Sequence, residues 1–358
     1  MSGSVRRRPE WPMTRFSSLI GVDLPLVQAP MAGVQASALA IAVCQAGGLG
    51  SLPCAMLTAD QIRAEVAAIR AATSRPFNLN FFAHTPPAPD ALRMAVWHSA
   101  LLPYYRELGL DPAAIPSGPG RAPFTPEAAD LLEELRPPVV SFHFGLPAAD
   151  LLARVRATGA RILASATTIE EALWLQARGV DAVIAQGIEA GGHRGIFLAH
   201  DLSTQSGTMA LVSQLVDALQ VPVIAAGGIA DARTLRAALS LGAAAAQVGT
   251  AYMLCPEATT SSVHRAAIRS ARSQHTVLTR LFSGGPARGI VNRLIRELGP
   301  MSALAPPFPL AASALAPLRS LAESLGRDDF SPLWCGQNPS GCAELPAAEL
   351  TRALVAAL

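Results

Sequence analysis

The 358-residue sequence contains no lysine, so arginine supplies all 28 of its basic side chains. This absence excludes enzymes that form a Schiff base through lysine and nucleotide-binding proteins that hold phosphate with a Walker lysine. Charge is also scarce, since charged residues make up 15% of the chain and the formal net charge is +2 at pH 7. So small an excess does not favour nucleic acid as a partner, and the one basic run, at residues 6–8, is interpreted as a solvated tail.

Cysteine is nearly as rare, with five residues, none of them in a spacing that binds zinc. The odd number and the spacing exclude a disulfide framework and predict no metal site. The first residues lack the apolar core of a secretory signal, so we expect a cytoplasmic location. The stretch 24–59 has no charged residue, but three prolines and four glycines interrupt it, which indicates strands and a helix rather than a membrane span.

Eight short apolar runs bounded by turn residues predict buried strands. They cover residues 26–31, 49–53, 77–82, 139–144, 161–166, 182–186, 221–226 and 245–248. Such continuous apolar strands are typical of parallel sheets covered on both faces, and alanine- and leucine-rich helical segments lie between several of them. Eight strand–helix alternations over roughly 250 residues predict a TIM (β/α)8 barrel. A doubly wound open sheet is also compatible, because periodicity does not show closure.

Two regions depart from this alternation and set the predicted domain organisation. Residues 84–138, between the third and fourth strands, are rich in proline and are interpreted as an insertion that forms a lid or a wall of the site. Residues 20–255 are therefore predicted to form the barrel with its insertion. The alternation stops after Cys255, so residues 256–358 are predicted to form a mainly helical C-terminal subdomain packed on the barrel.

Glycines at the ends of the last two strands predict a phosphate site. Gly227 and Gly228 end the seventh strand, and Gly249 and Thr250 end the eighth. Loops after these strands of a barrel commonly hold phosphate with backbone N–H groups, although each glycine alone is also explained as a tight turn. Without a lysine or a Walker motif, a mononucleotide such as a flavin phosphate fits better than a nucleoside triphosphate.

Two histidines are candidate catalytic residues. His193 lies in the loop 187–195, whose four glycines let the backbone approach a planar ligand closely. An imidazole is suited to remove a carbon-bound proton, because its pKa lies near neutral pH. His143 ends the fourth strand on the same face as Ser141. It either reaches the site, where it would bind an anionic substrate or brace His193, or is a core histidine satisfied by neighbouring hydroxyls.

Seven short segments are informative when they are taken together, although single pieces such as the GGI turn occur in many barrels. They are QAPMAG at 28–33, NLNFF at 78–82, SFHFG at 141–145, the loop 187–195 with EAGGHRG, AAGGIAD at 225–231, QVGT at 247–250 and DFSPLW at 329–334. Together, and in this order, they resemble class I nitronate monooxygenases, formerly called 2-nitropropane dioxygenases. The resemblance extends over most of the chain.

The resemblance implies an FMN-containing barrel that oxidises alkyl nitronates, notably propionate 3-nitronate, with O2 to a carbonyl product and nitrite by way of a flavin semiquinone. We expect small molecules as partners, the nitronate and O2, and a monomer or homodimer. His193 is then the catalytic histidine, with His143 as a second candidate. The residues expected to contact FMN are Met31, Asn80, Gln186, Gly191, Gly192, Gly227, Gly228, Gln247, Val248, Gly249 and Thr250.

The sequence departs from this family in the expected substrate pocket. Family members line the pocket with several tyrosines and a C-terminal lysine, whereas this chain has no lysine and only three tyrosines, Tyr104, Tyr105 and Tyr252. The candidates to replace those side chains are His264, Arg288 and Arg293. The substrate is therefore less constrained by the sequence than the cofactor is.

Two other functions stay open at the level of the sequence. Related FMN barrels use NAD(P)H to reduce enoyl thioesters or quinones, and they share the glycine turns; the GGHRG loop, the SFHFG strand and the long insertion favour the monooxygenase. A barrel that binds a phosphate ligand without turnover, as a sensor or scaffold, is the non-enzymatic alternative. Such a protein would not need His193 on a glycine loop.

Overall fold

The computed structural model describes residues 14–116, 121–356 and 358, so the basic run at 6–8 lies outside the described residues. All eight predicted strands are present. They are β1 (Leu26–Gln28), β2 (Gly50–Pro53), β3 (Phe77–Phe82), β4 (Val139–His143), β5 (Arg161–Ala166), β6 (Ala182–Gln186), β8 (Val223–Ala226) and β9 (Ala245–Val248). Three further strands, β7 (Gly192–His193), β10 (Thr276–Thr279) and β11 (Ala287–Ile290), form a separate antiparallel sheet.

The eight parallel strands form one sheet in the order β1-β9-β8-β6-β5-β4-β3-β2. Its two edges meet, because Val27 of β1 forms a parallel bridge with Leu49, next to β2. The Gln28 N–H donates to the carbonyl of Leu49 at 2.9 Å, and the Leu49 N–H donates to the carbonyl of Leu26 at 2.9 Å. This closure confirms the predicted (β/α)8 barrel and excludes the open doubly wound sheet.

Helices occupy most of the connections between the barrel strands. Those between strands are α2 (Ser37–Ala46), α3 (Ala59–Ala72), α4 (Ala91–Glu107), α5 (Pro126–Leu135), α6 (Ala149–Ala157), α7 (Ile169–Ala177), α8 (Thr208–Ala218) and α9 (Ala232–Ser240). Helix α1 (Arg15–Ile20) precedes β1, and α10 (Ser262–Arg269), α11 (Arg293–Leu298), α12 (Ala311–Ser324) and α13 (Ala347–Val355) follow β9. Local sequence explains several starts. The Thr168 hydroxyl accepts the Glu171 N–H and caps α7, and Thr58 with Gln61 forms a capping box on α3.

Strand alternation divides the barrel interior into an apolar and a polar layer. At the N-terminal ends of the strands, inward side chains form an apolar cluster, which Phe16 of α1 closes from below. That cluster includes Val27, Leu49, Val139, Leu163, Ala182, Ile184, Ile224 and Ala245. Two residues further along several strands, the inward positions become polar, as at Ser141, Ser165 and Gln247. The fold therefore gathers polar side chains at the C-terminal mouth of the barrel.

The segment 84–138 and the C-terminal region share a second apolar core. Helix α4 packs on α12, with Trp97, Tyr105 and Leu318 in the interface cluster. The Trp97 indole N–H donates to the carbonyl of Ala311 at 3.2 Å, and the Tyr105 hydroxyl donates to the carbonyl of Ala314 at 2.7 Å. Residues distant in sequence thus form one wall beside the barrel.

The described residues of the range 256–358 contain four helices, in a region that the sequence predicted to be mainly helical. They also contain two strands, which the sequence did not predict. Strands β10 and β11 are short and only partly apolar, so they lack the continuous apolar run that identified the barrel strands. Helix α13 packs on α2 and α9, so the chain returns to the barrel shell near residue 355. The predicted boundary between barrel and subdomain, at residues 255 and 256, stays a prediction.

The longest helix in the described part of the chain is α4, with 17 residues. None of the described helices combines the length and the apolar character needed to cross a bilayer. The charge-free stretch 24–59 instead contains β1, α2 and β2, as the sequence predicted.

Close packing of α2 against β2 gives a test of the barrel geometry. A Cβ atom on Gly50 would lie 2.2 Å from the backbone oxygen of Ala40 in α2, whereas Gly159 has φ +86° but open space around it. We expect Gly159→Ala to cost about 1 kcal/mol through its left-handed backbone, and Gly50→Ala to cost about 3 kcal/mol through overpacking. Urea denaturation of both variants measures the difference. Equal unfolding free energies would contradict the packing described.

Candidate active site

A cavity opens at the C-terminal ends of the barrel strands, where barrels of this type place their active sites. Among the predicted site residues, those that line it are His193, His143, Met31, Asn80, Gln186, Gly191, Gly192, Gly227, Gly228, Gln247, Gly249 and Thr250. Val248 does not line the cavity. It alternates with Gln247 along β9, and its buried side chain packs in the main apolar core.

A hydrogen-bonded polar layer forms the floor of the cavity. The Asn80 side-chain amide donates to the Ser141 hydroxyl oxygen at 2.9 Å, and the Asn78 amide donates to the same oxygen at 2.9 Å. Asn78 also donates to the Ser51 hydroxyl at 3.0 Å. Three neighbouring strands thereby fix the orientation of Asn80, so it is positioned before any ligand binds.

Glycine is required by the backbone around the cavity. Gly227 and Gly228 have φ values of +121° and +70°, in a backbone region that residues with a side chain rarely adopt. A Cβ atom on Gly227 would lie 2.7 Å from the Thr208 hydroxyl oxygen, and one on Gly191 would lie 2.6 Å from the backbone nitrogen of Gly336. The wall is therefore backbone rather than side chain, and a phosphate or a flat ring can approach it closely.

Gln247 provides the sharpest indication of a ligand. Its side-chain oxygen Oε1 is buried and has no hydrogen-bond partner. Such an unsatisfied acceptor costs roughly 1–3 kcal/mol in a protein interior. Because Gln247 faces the cavity, an N–H or O–H group of a bound ligand would satisfy it. A flavin ring carries both N–H donors and carbonyl acceptors, so the residues present fit this cofactor.

His193 is held on the short strand β7, which pairs with β11 at Ala287. Its Nε2 lies 2.8 Å from the Ser283 hydroxyl oxygen, and its ring contacts Phe308 and Trp334 with centroid separations of 5.3 and 5.4 Å. Burial, with a smaller effect from nearby positive charge, lowers the pKa of His193 well below its usual value of 6.5. The ring is therefore neutral and able to accept a proton.

His143 lies directly beside His193 and holds its backbone. His143 Nε2 is 3.2 Å from the His193 carbonyl oxygen, and Nδ1 is 3.1 Å from the Ser165 hydroxyl. Since a carbonyl oxygen only accepts, Nε2 carries the hydrogen and Ser165 donates to Nδ1. Burial lowers the pKa of His143 to about 4, which keeps this neutral form. His143 therefore lines the cavity beside His193, while its contact with the Ser165 hydroxyl is the one that the core-histidine interpretation also expects, so its role stays a prediction.

Gln186 and Arg194 fix the rest of the loop 187–195. Gln186 Nε2 donates to the His193 carbonyl at 2.8 Å, and Gln186 Oε1 accepts the Gly195 N–H at 2.8 Å. Arg194 is fully buried and donates to the carbonyls of Gly187 and Gln186 at 2.6 and 2.7 Å. The arginine of the GGHRG motif thus stabilises the loop from behind and does not line the cavity.

Three lining residues from the C-terminal region were not predicted as site residues. They are Trp334, Gly336 and Asn338. The Gly336 N–H donates to the Thr250 hydroxyl at 3.0 Å, and the Asn338 amide donates to the Gly228 carbonyl at 2.9 Å. The DFSPLW segment marked this region by resemblance, but no periodicity connected it to the glycine turns.

The candidates to replace the family's pocket side chains lie elsewhere. His264 Nε2 is 3.0 Å from the Trp334 carbonyl, the Arg288 Nε donates to the Ile188 carbonyl at 2.8 Å, and Arg293 pairs with Glu107 at 2.7 Å. None of these three lines the cavity, and neither do the three tyrosines. Among the described residues that do line it, one carries a charge, Arg121 in the segment 84–138.

Comparisons with known proteins agree with this site. A family model described as nitronate monooxygenase matches residues 13–357. A curated relative, the nitronate monooxygenase of Pseudomonas aeruginosa, is 43% identical over 343 residues, which cover 95% of this chain and 98% of the relative.

Solved structures give the same result for the fold. Nitroalkane oxidase from Streptomyces ansochromogenes has a TM-score of 0.86 and 38% identity, covering 95% of this chain and 96% of that one. FabK from Thermotoga maritima has a TM-score of 0.73 and 25% identity, covering 96% and 95%. The sequence resemblance is thereby confirmed, and the chain belongs to the nitronate monooxygenase family.

Proposed function

We propose that this enzyme oxidises alkyl nitronates with O2 to a carbonyl compound and nitrite, and that propionate 3-nitronate is a substrate. The family, the curated relative and the nitroalkane oxidase support oxidation of this class of compound. The observation that carries the proposal is the neutral His193 in a cavity that also contains the glycine turns. The NAD(P)H-dependent reductase is less favoured, because FabK matches with lower identity and TM-score.

The family is flavin-dependent, and we propose FMN as the flavin. When bound, the flavin accepts the electrons of the substrate and passes them to oxygen. Gly228, Gly249 and Thr250 would hold its phosphate through backbone N–H groups, as loops after the last two strands of a barrel commonly do. Asn80 and Gln247 would face its ring, which is supported by the unpartnered Oε1 of Gln247.

His193 is proposed as the proton acceptor for neutral nitroalkanes. A nitronate has already lost its α-proton, whereas a nitroalkane must lose it before oxidation. The neutral ring of His193, held by Ser283, faces the cavity and can take that proton. His143 is proposed as a positioning residue, because both of its ring nitrogens are used to hold Ser165 and the His193 carbonyl. A monomer or homodimer and a cytoplasmic location stay predictions from the sequence.

Anaerobic mixing of the purified protein with propionate 3-nitronate tests cofactor and reaction together. We expect the visible absorption of the flavin to decrease on mixing and to return when O2 is admitted, with nitrite released. Chromatography of the cofactor released by heat identifies it against FMN and FAD. A flavin that is reduced by NADH but not by the nitronate would move the assignment to a reductase, and a colourless protein that does not take up FMN would contradict both.

Replacement of Gln247 tests the cofactor position separately from turnover. Gln247→Leu removes an acceptor that is unsatisfied in the free protein, so the unfolding free energy of the apoprotein should not fall, while FMN binding weakens about 10-fold. Fluorescence titration with FMN measures the affinity. The matched control is Gln35→Leu, because Gln35 Oε1 accepts from Gln28 at 2.7 Å and from the Met31 N–H at 3.0 Å. That variant should lose stability, and unchanged FMN affinity in Gln247→Leu would contradict the assignment.

Replacement of His193 separates proton removal from nitronate oxidation. His193→Asn should lower kcat/KM for a neutral nitroalkane by about 100-fold or more and change kcat/KM for the nitronate little. In the wild type, kcat/KM for the nitroalkane should stay level from about pH 8 to about pH 6, because the pKa of His193 lies well below 6.5. It should fall only in more acidic buffer, where the ring takes up a proton. Exposed His275→Asn is the control. Equal losses on both substrates, or a midpoint at the usual histidine pKa, would be evidence against this role.

A further inference from the structure

Arg121 gives the cavity a positive charge that no acidic side chain among its described lining residues balances. The Nε and Nη1 atoms of Arg121 are sealed from solvent and have no hydrogen-bond acceptor. Several other arginines form ion pairs with carboxylates. Arg63, Arg154 and Arg293, for example, each have a guanidinium nitrogen 2.7 Å from a carboxylate oxygen. Two buried guanidinium nitrogens without an acceptor are costly, so their position in a cavity indicates that a ligand supplies the acceptor.

The surroundings of Arg121 place it on the His193 side of the cavity. Its guanidinium carbon is 6.0 Å from the centre of the Phe308 ring, and that ring is 5.3 Å from the His193 ring. His84 packs against the same phenylalanine with a centroid separation of 4.8 Å. It is buried behind the lining residues and has no partner for either ring nitrogen. The unsatisfied nitrogens of Arg121 and His84 therefore lie near His193, the proposed proton acceptor. The glycine turns that are proposed to hold the cofactor contact other residues, namely Thr208, Asn338 and Gly336.

The guanidinium of Arg121 is matched to an anion. A guanidinium presents a planar set of N–H donors that fits the paired oxygens of a carboxylate or a nitronate. A neutral imidazole beside it adds no charge. The turns proposed to hold the cofactor phosphate use backbone groups, so the charge of Arg121 is available to the substrate.

We propose that Arg121 is the specificity-determining residue of this site, pairing with two anionic oxygens of the substrate, and that His84, which is buried beside it but outside the cavity lining, is a positioning residue of the same subsite. The inference rests on the proposed function, which supplies a substrate anion. The paired oxygens belong either to the nitronate group itself or to a carboxylate at the other end of the substrate. Arg121 thus favours anionic substrates over neutral ones, because a neutral nitroalkane in the cavity leaves the guanidinium unsatisfied and is expected to react with a lower kcat/KM than its nitronate.

The stability of an Arg121 variant and its affinity for the anion together distinguish this proposal from a structural role for Arg121. Replacing an unpaired buried charge with an apolar side chain of similar length is expected to leave the free protein as stable as before or more stable. Binding of the anion should nevertheless weaken, because its partner is lost. A residue with a structural role would show the reverse, with lower stability and an unchanged preference among substrates.

The experiment compares flavin-loaded wild type with Arg121→Met, Arg121→Lys and the control Arg319→Met. Arg319 is an arginine near Arg121 that pairs with Glu323 at 2.7 Å and does not line the cavity. For each protein, kcat/KM is measured with ethylnitronate, which has one negative charge, and with propionate 3-nitronate, which has two. Thermal unfolding and retained flavin are measured on the same samples, and calorimetry gives the affinity for propionate, an anion that does not react.

We expect Arg121→Met to keep its flavin, to unfold at the same or a higher temperature, and to lose about 10- to 100-fold in kcat/KM, with a partial loss in Arg121→Lys and none in Arg319→Met. A loss on both substrates assigns Arg121 to the nitronate group, and a loss on propionate 3-nitronate alone assigns it to the carboxylate. His84→Phe should show a smaller loss with the same selectivity.

Three results would overturn the proposal. They are unchanged kcat/KM on both substrates in Arg121→Met, loss of flavin from that variant, or a lower unfolding temperature with unchanged substrate preference. If the wild type oxidises neither nitronate, the proposed function fails by itself, and the propionate affinities then decide about Arg121. Tighter binding of propionate by the wild type than by Arg121→Met would still support an anion site, and equal affinities would reject it.

Discussion

Closure of the eight-stranded sheet is the constraint on which the site depends. In the order of the sheet, β1 and β2 are its two ends, and the backbone hydrogen bonds through Leu49, with the Ser51 N–H donating to Gln28 Oε1 at 3.0 Å, bring them together. Without closure, Met31 after β1 and Asn80 on β3 would lie toward opposite edges. Because the barrel is closed, strand alternation directs inward polar side chains from most of its strands to one mouth. The chemistry of the cavity is thus a consequence of a backbone contact remote from it.

Burial sets the electrostatics of that mouth. His193 and His143 are kept neutral by desolvation, and Arg121 is the one charged side chain among the described lining residues. A cavity with neutral imidazoles, no acid and one guanidinium favours anions. Backbone N–H groups are proposed to hold the flavin phosphate, so the charge of Arg121 is left for an anionic substrate. The low charge of the whole sequence therefore does not reveal that this cavity prefers anions.

Much of the fold and part of the site were predictable from the sequence, for identifiable physical reasons. The barrel strands are buried on both faces and appear as apolar runs, and glycines such as Gly228 mark backbone conformations that other residues avoid. Periodicity also places Gln247 inward, and by the same rule directs Val248 outward. The contacts of His143 required three dimensions, because its partners Ser165 and His193 come from other strands.

The features that sequence reasoning missed depend on contacts between distant segments. Arg121 lies in a proline-rich region without periodicity, and nothing near it in sequence shows that its charge is unpaired. Arg194 of the GGHRG motif has backbone carbonyls as acceptors, and the sequence alone does not show that it supports the loop in this way. Strand β11 pairs with β7, which lies in the loop around His193, and β10 pairs with β11. The formation of these two strands therefore depends on that loop and is not apparent from their own sequences.

The packing of α13 on α2 has a consequence for biosynthesis. Helix α2 is complete at residue 46, but the helix that covers one of its faces ends at residue 355. While the ribosome makes the intervening chain, the face of α2 that α13 covers stays exposed, although β2 and α3 already pack on other parts of the helix. The same delay applies to the face of α4 that α12 covers. Contacts of such high sequence separation slow folding and leave apolar surface open to aggregation. Nascent chains of this protein are therefore expected clients of chaperones until their last helices emerge.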